Sequence, residues 1–250
     1  MFKKTIPGSG SSLNTVDHEE TYGRHILDQF ARQLHVEKCV DLGCGRGDDL
    51  SIVKNIHPEA ECFGIDFGDW NLERLNNLGV KVIKTDIEKD QLPFGNESLD
   101  LVVANQILEH TKEIFWINHE IFRCLKVGGY FYLGVPNILS LHNRILGLAG
   151  IHPTQWKLLS AHVRPFSKHD TYKFYSNIGS KFCEIEKFKG SQFYPFPKNI
   201  ARFFSGIFPG LSFSIFFLIR KTARYNGEFL NWPAYASLET NFYTGRENEK

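Results

Sequence analysis

Val40-Asp41-Leu42-Gly43-Cys44-Gly45-Arg46-Gly47-Asp48 joins an apolar run to a helix through three glycines spaced two apart. Residues 38–42 read as a buried strand, and Asp48 or Asp49 opens the helix that follows. So many glycines would weaken any regular element. Their use here is a backbone that turns sharply and lets a ligand approach without meeting Cβ atoms. A helix N-terminus directly behind the turn adds unpaired N–H groups facing the same point. The pattern is that of a nucleotide-type site at the carboxyl end of a first parallel strand.

Spacing separates the possible ligands. A dinucleotide fingerprint, G-x-G-x-x-G, places its third glycine where the helix packs on the strand, but here Asp48 holds that place and Gly47 comes one residue early. Asp48 and Asp49 would repel a pyrophosphate and accept a ligand carrying an ammonium or sulfonium charge. The run Asp-Leu-Gly-Cys-Gly-x-Gly resembles the first motif of the class I S-adenosylmethionine (SAM) dependent methyltransferases.

At 250 residues the chain fits one large α/β domain with additions, or at most two small ones. A net charge of +1 gives no bulk electrostatic reason to expect a nucleic-acid partner. Phenylalanine, at 22 residues, either enlarges the core or lines an apolar pocket. Cys39, Cys44, Cys62, Cys124 and Cys183 form no C-x-x-C pair, which argues against a zinc site and a disulfide framework. Residues 1–16 lack the apolar run of a signal peptide and read as a flexible start, with the reducing cytoplasm as the expected compartment. Residues 203–219 are uncharged and apolar, but Pro209-Gly210 and three serines interrupt them. A short helix followed by a buried strand accounts for them better than a membrane span.

In chain order, residues 17–34 carry Tyr22, Ile26, Phe30 and Leu34 at a four-residue step, which predicts one amphipathic helix over the sheet edge beside the first strand. Predicted strands follow at 61–67, 81–87, 99–105 and 130–135. Helices are expected after the glycine turn, from Asp69 to the stop at Gly79, and over 111–125 with closure at Gly128-Gly129. Beyond Pro136 the rhythm changes, and residues 137–168 read as an inserted helix and loop, a lid above the carboxyl edge. A helix (170–178), a strand (181–188), a helix (200–208) and a last strand (212–219) complete a domain spanning 17–222, and residues 223–250 form an aromatic then polar C-terminal extension. Strands alternating with helices imply right-handed crossovers and a mainly parallel α/β sheet covered on both faces.

The acids fall at strand ends. Asp66 ends the second strand about 20 residues after the glycine turn, where a carboxylate accepts both hydroxyls of a ribose. Asp86 ends the third, within reach of an adenine amine, with Phe67 or Ile87 packing on the ring. The alternative for each is capping of its own turn.

The resemblance continues through Gly64-Ile65-Asp66, Thr85-Asp86-Ile87, Leu92-Pro93-Phe94 with Ser98-Leu99-Asp100, Leu108-Glu109-His110, and Leu125-Lys126-Val127-Gly128-Gly129, which departs only in Val127 where proline is usual. These matches lie in order over about 38–137. The resemblance implies a Rossmann-like, doubly wound seven-stranded sheet whose last strand is antiparallel. It implies SAM as cofactor, released as S-adenosylhomocysteine, with no metal expected. Asp41, Gly43, Cys44, Gly45 and Gly47 would hold the methionine part, Asp66 the ribose and Asp86 the adenine. Asn105, Gln106 and Ile107 would line the path of the methyl group.

Methyl transfer from a sulfonium is an in-line displacement, for which positioning alone can supply on the order of 7–11 kcal/mol. A hydroxyl nucleophile must also lose its proton, and histidine suits that near neutral pH. His110, just after the fourth strand, is the first candidate base, although a structural or cofactor-side role fits it as well. The second is His162: His162-Val163-Arg164-Pro165-Phe166-Ser167 resembles a His-x-Arg stretch in the insert before the sixth strand of small-molecule branches of the family, which implies that Arg164 holds an anionic substrate group; solvated loop charges explain the stretch equally well. His142, His152 and His169 read as surface residues. The expected activity is SAM-dependent methylation, at oxygen, of a small molecule or glycan precursor by a monomer or homodimer without a transmembrane segment; a peripheral membrane contact remains open. Rival readings are a SAM-binding protein without chemistry and an NAD(P)-dependent oxidoreductase.

Overall fold

Residues 99–105 and 214–221, rich in Val, Ile, Leu and Phe and almost wholly buried, require cover on both faces, and they lie in a seven-stranded sheet. The computed structural model describes residues 18–68 and 71–245. The strands are β1 (Lys38–Leu42), β2 (Glu61–Asp66), β3 (Lys81–Lys84), β4 (Leu99–Asn105), β5 (Leu125–Pro136), β6 (Cys183–Ser191) and β7 (Ser214–Lys221). Their order is β3-β2-β1-β4-β5-β7-β6. The first five pair in parallel, and β7 runs antiparallel to both of its neighbours. Chain order reverses between β1 and β4, which opens a crevice at the carboxyl ends of those two strands.

The N-terminal helix is not continuous. α1 (His18–Tyr22) and α2 (Arg24–Ala31) meet at Gly23, whose φ of 55° ends the first. A Cβ on Gly23 would stand 2.2 Å from the Phe216 ring, so the glycine lets backbone lie directly on β7. Phe30 of α2 meets Tyr132 of β5 edge-on at 6.1 Å. The helix therefore covers the middle of the sheet, and β1 is an interior strand, in contrast to the edge placement expected from spacing. Periodicity specifies an apolar face but not the partner of that face.

α3 (Asp48–Ile56) and α4 (Leu72–Asn77) complete this layer around Leu50, Val53, Leu75 and Phe216. The predicted start of the latter at Asp69 lies outside the described residues. On the opposite face, α5 (Ile114–Cys124), α7 (Lys168–Gly179) and α9 (Glu228–Tyr235) pack together. Their core is aromatic, with Phe122 within 5.6 Å of the rings of both Phe182 and Phe229. The phenylalanine excess thus builds a core here. Phe229 is fully buried, a contribution of roughly 1.5–3 kcal/mol by transfer, so the segment after β7 is packed into the main layer.

β5 begins at Leu125, directly at the end of α5, earlier than the glycine pair would place it. Gly129 is needed for close approach instead: a Cβ there would meet the carbonyls of Lys126, Leu99 and Asp100 at 3.0–3.1 Å. The last carbonyls of α5 are met by a buried cation. Lys221 Nζ donates to Phe122 O at 2.8 Å and Leu125 O at 2.7 Å, which anchors β7 to the helix end. α6 (Leu141–Leu148) lies in the insert, and α8 (Lys198–Ile207) precedes β7, so residues 203–219 divide into helix and strand. No helix among the described residues is long and apolar enough to cross a membrane.

Candidate active site

Gly43, Gly45 and Gly47 have φ of 72°, 49° and 74°. Two of them also make room for packing: a Cβ on Gly43 would reach Ile107 at 2.7 Å and one on Gly47 would reach Leu75 at 2.4 Å. Gly45 differs, because its added Cβ would meet nothing nearer than a carbonyl at 4.0 Å. The space beside its Cα is open. The Gly45 N–H donates to Asp66 Oδ2 at 2.9 Å, and the Gly68 N–H donates to Asp66 Oδ1 at 3.2 Å. The turn is thereby fixed to the end of β2. Cys44 is buried beneath it, its thiol pushed up to about 12 chiefly by burial.

Asp41 is 3 % exposed. Burial first, then the charges of Asp49 and Asp66, push its carboxyl well above the usual carboxylate range, and Arg24 opposes them. A cationic group brought over the turn would lower that electrostatic cost. The donor set of the cleft thus fits a ligand with a positive charge and a diol.

Asp48 and Asp49 do not carry that charge preference, in contrast to the expectation from sequence. Arg24 binds Asp48 at 3.0 Å and Asp49 at 3.3 Å, and Arg74 binds Asp48 at 2.5 Å. Two arginines from outside the motif meet the acids, and no local spacing announces them. Asn105 is likewise committed elsewhere. Its Nδ2 donates to Tyr22 O at 2.9 Å and to Asp49 Oδ2 at 2.8 Å, tying β4 to α1 and α3. The residue is buried, and its side chain serves the scaffold beneath the methyl path expected from sequence.

Asp86 caps its own turn through the Glu88 N–H at 3.0 Å and pairs with exposed Lys89 at 3.0 Å. Ile87 is half-buried beside it, and Phe67 is 68 % exposed at the end of β2. Gln106 continues the β4 end with φ of 56°, a costly conformation for a residue with a side chain, and its Nε2 is buried without a hydrogen-bond partner. Gln106 thus combines an orphaned buried donor with strained backbone, next in the chain to Ile107, which packs on Gly43.

One turn further lies a group that periodicity does not disclose. Glu109 is 1 % exposed, neither carboxylate oxygen has a hydrogen-bond partner, and burial pushes its carboxyl up to about 8. Its backbone carbonyl accepts from Val163 N–H at 2.8 Å and Arg164 N–H at 3.1 Å, which docks the insert onto the β4 end. Docking brings His162 against His110, with ring centres 4.7 Å apart. His110 Nδ1 lies 3.2 Å from Ala161 O, which can only accept, so Nδ1 donates there, and Nε2 lies 3.9 Å from Glu109 Oε1. Burial and the neighbouring His110 hold His162 below the ordinary imidazole value. Arg164 is half-buried and donates through Nη2 to Lys112 O at 2.5 Å, leaving its Nε without a partner. The two histidines singled out from sequence do converge. Glu109 was visible only as part of the family resemblance at Leu108-Glu109-His110, which assigned it no role.

Beside this edge, where β7 begins, His142, Ile145, Leu146, Thr154, Gln155, Tyr194 and Phe213 line a largely apolar cavity of about 510 Å³.

Comparison with known proteins places this geometry. A profile of the methyltransferase-domain family matches residues 40–133, from the glycine turn through β5. A 37.1 kDa protein of a Streptomyces fradiae transposon is 31% identical over 150 residues, covering 56% of this chain and 43% of that one. A demethylmenaquinone methyltransferase of Lactobacillus johnsonii is 27% identical over 176 residues, covering 64% and 69%. The match thus spans less than half of the first relative's length and about two thirds of the second's. Among solved structures, a SAM dependent methyltransferase from Archaeoglobus fulgidus superposes with a TM-score of 0.52 at 18% identity, covering 82% of this chain and 97% of that one. The plantazolicin methyltransferase BpumL, bound to S-adenosylhomocysteine, gives 0.58 at 16% identity, covering 83% and 87%. At such identities the structural likeness speaks to the fold, and the family match to the motifs within it. The glycine turn thus lies within the stretch 40–133 that matches the methyltransferase-domain family, and the strand order is that of a fold shared with S-adenosylmethionine-dependent methyltransferases, to which the chain is similar.

Proposed function

We propose that the protein transfers the methyl group of SAM to an oxygen of a small molecule that has an apolar portion. The observation that carries this reading is the open left-handed glycine turn fixed to Asp66 beside the buried, electrostatically unfavourable Asp41. When bound, SAM supplies an electrophilic methyl on a sulfonium. Asp41 and the Gly43–Gly47 backbone would receive its methionine part, with Asp66 at the ribose, and Asp86, Phe67 and Ile87 at the adenine. Gln106, at the β4 end, would line the path of the methyl.

In the reaction the S–CH3 bond breaks as the O–CH3 bond forms, the sulfonium becomes a thioether, and the hydroxyl proton leaves. The group of Glu109, His110 and His162 stands on the same edge and offers imidazole lone pairs to that proton. The apolar cavity under α6 would take the body of the acceptor. A demethylmenaquinone methyltransferase and, in Candida albicans, a sterol 24-C-methyltransferase are among the relatives, and their names agree with an apolar acceptor. A glycan precursor joined to a lipid meets the same requirement.

The test is calorimetric titration with S-adenosylhomocysteine, with NADH as control, followed by methyl transfer to a panel of hydroxyl-bearing acceptors. Micromolar binding of the first ligand alone, with turnover on at least one acceptor, is expected. Binding of neither ligand overturns the reading.

A further inference from the structure

Glu109, His110 and His162 present one nitrogen or oxygen donor each, and these donor atoms lie within 4.8 Å of one another. We infer that they form a binding site for one divalent transition-metal cation, a role that the methyltransferase fold itself does not require.

Three independent features point there. The first is donor chemistry: two imidazoles and a carboxylate are the set that suits zinc and its neighbours in the first transition row. The second is the state of Glu109. A carboxylate 1 % exposed, with both oxygens lacking a hydrogen-bond partner, is costly in a folded protein unless a cation or a proton meets it. Its Oε1 faces the His110 imidazole at 3.9 Å, close to the separation of two ligands on one metal ion. The third is the contact behind His110. Metal-bound histidines ordinarily donate their second ring N–H to a carbonyl or carboxylate, which orients the ring and keeps the ligating nitrogen deprotonated. His110 Nδ1 does this toward Ala161 O.

The elements that hold the three residues are separate, so the grouping is a product of tertiary structure. Glu109 and His110 end a short 3₁₀ turn after β4, and His162 comes from the insert more than 50 residues on. The insert is held there by the two N–H groups that donate to Glu109 O. The buried carboxylate forms the floor and the two partly exposed imidazoles form the mouth, so a cation enters from solvent and leaves open coordination positions on the outer side.

The site is a statement about metal binding and stands without the catalytic reading. Its part in the reaction rests on that reading. A cation here would bind the acceptor hydroxyl, lower its pKa and orient it, with the released proton passing to solvent. His110 and His162 would then be ligands rather than proton acceptors.

The experiment uses the full, tag-free chain after removal of metals with a chelator. Zn2+ is titrated calorimetrically, and Co2+ is titrated while its visible d–d bands are recorded. One equivalent of each, with Co2+ bands of a low-coordinate nitrogen–oxygen site, is expected. E109Q and H162A should each weaken binding by about tenfold or more, whereas H169A, an exposed histidine outside the group, should not. S-Adenosylhomocysteine binding to the metal-free protein and to each variant reports that the fold and the cofactor site are intact. Absence of stoichiometric binding, or equal binding by E109Q and the parent chain, overturns the metal site and leaves the imidazoles as proton acceptors. Loss of S-adenosylhomocysteine binding by the parent chain would instead count against the methyltransferase reading, with the metal result unaffected.

Discussion

The backbone N–H of Gly45 donates to the Asp66 carboxylate across 2.9 Å, so the end of β2 holds the glycine turn at the end of β1 in shape. The same carboxylate is the proposed acceptor for the ribose hydroxyls. Asp66→Ala should weaken S-adenosylhomocysteine binding by roughly 1–3 kcal/mol, about five- to 150-fold in Kd by calorimetry. Unchanged affinity would remove Asp66 from the site.

The glycines of the turn should separate by function. Gly47→Ala places a Cβ 2.4 Å from Leu75 at φ 74°, and thermal unfolding should show a marked loss of stability. Gly45→Ala carries only the left-handed backbone cost, about 1–2 kcal/mol, because the space beside it is open. Its ligand affinity should fall much further than its melting temperature. Equal losses in both variants would mean that the open side of Gly45 receives nothing.

Asp41 gives a pH dependence whose sign can be worked out. Its folded-state pKa is raised, so the unfolded chain ionises first as pH climbs past the ordinary carboxylate value, about 4. From there upward the native state is progressively penalised, and the ligand-free protein loses stability. Asp41→Asn should flatten the fall in melting temperature as pH rises above the ordinary carboxylate value, about 4, while weakening binding of the cationic ligand. A variant as pH-sensitive as the parent chain would contradict the assignment.

His110→Ala should lower turnover by about two to four decades whether the imidazole accepts the proton or holds a cation, with S-adenosylhomocysteine affinity nearly intact. Loss of that affinity would move His110 into the cofactor shell.

Phe229 tests whether the segment beyond β7 is part of the domain. Fully buried against Phe122, Phe174 and Phe182, it should cost about 3–5 kcal/mol on Phe229→Ala, read by chemical denaturation. A loss under about 1 kcal/mol would make the segment an appendage.

These residues also show what a sequence can disclose. The strands, the glycine turn and Asp66 were legible because strand ends, turns and helix starts are set by neighbours a few positions apart. Arg24, which pairs with Asp48 and Asp49, lies 24 and 25 residues away and carries no local signal. Asn105 stands at the expected strand end, yet its amide turns to Tyr22 and Asp49, a choice made by the packing of three elements. The break at Gly23 is understandable only once Phe216, nearly 200 residues later, is seen to lie against it. Glu109 and His162 meet because the insert folds back, and that return has no periodicity to read.

The position of β7 governs when the molecule can finish assembling. It lies between β5 and β6 and supplies the pairing of both, with Tyr130 opposite Arg220 and Cys183 opposite Lys221. During synthesis the first five strands can associate as they emerge, but β6 has no strand to join until residues 214–221 have left the ribosome. Until then one edge of β5 stays open, and the nascent chain presents an unpaired apolar strand to anything that can add to it. Pairings this distant also make the closing step slow relative to the local helices. A premature stop before residue 214 would therefore abolish the sheet's far side, not shorten it, and mark the product for aggregation or degradation.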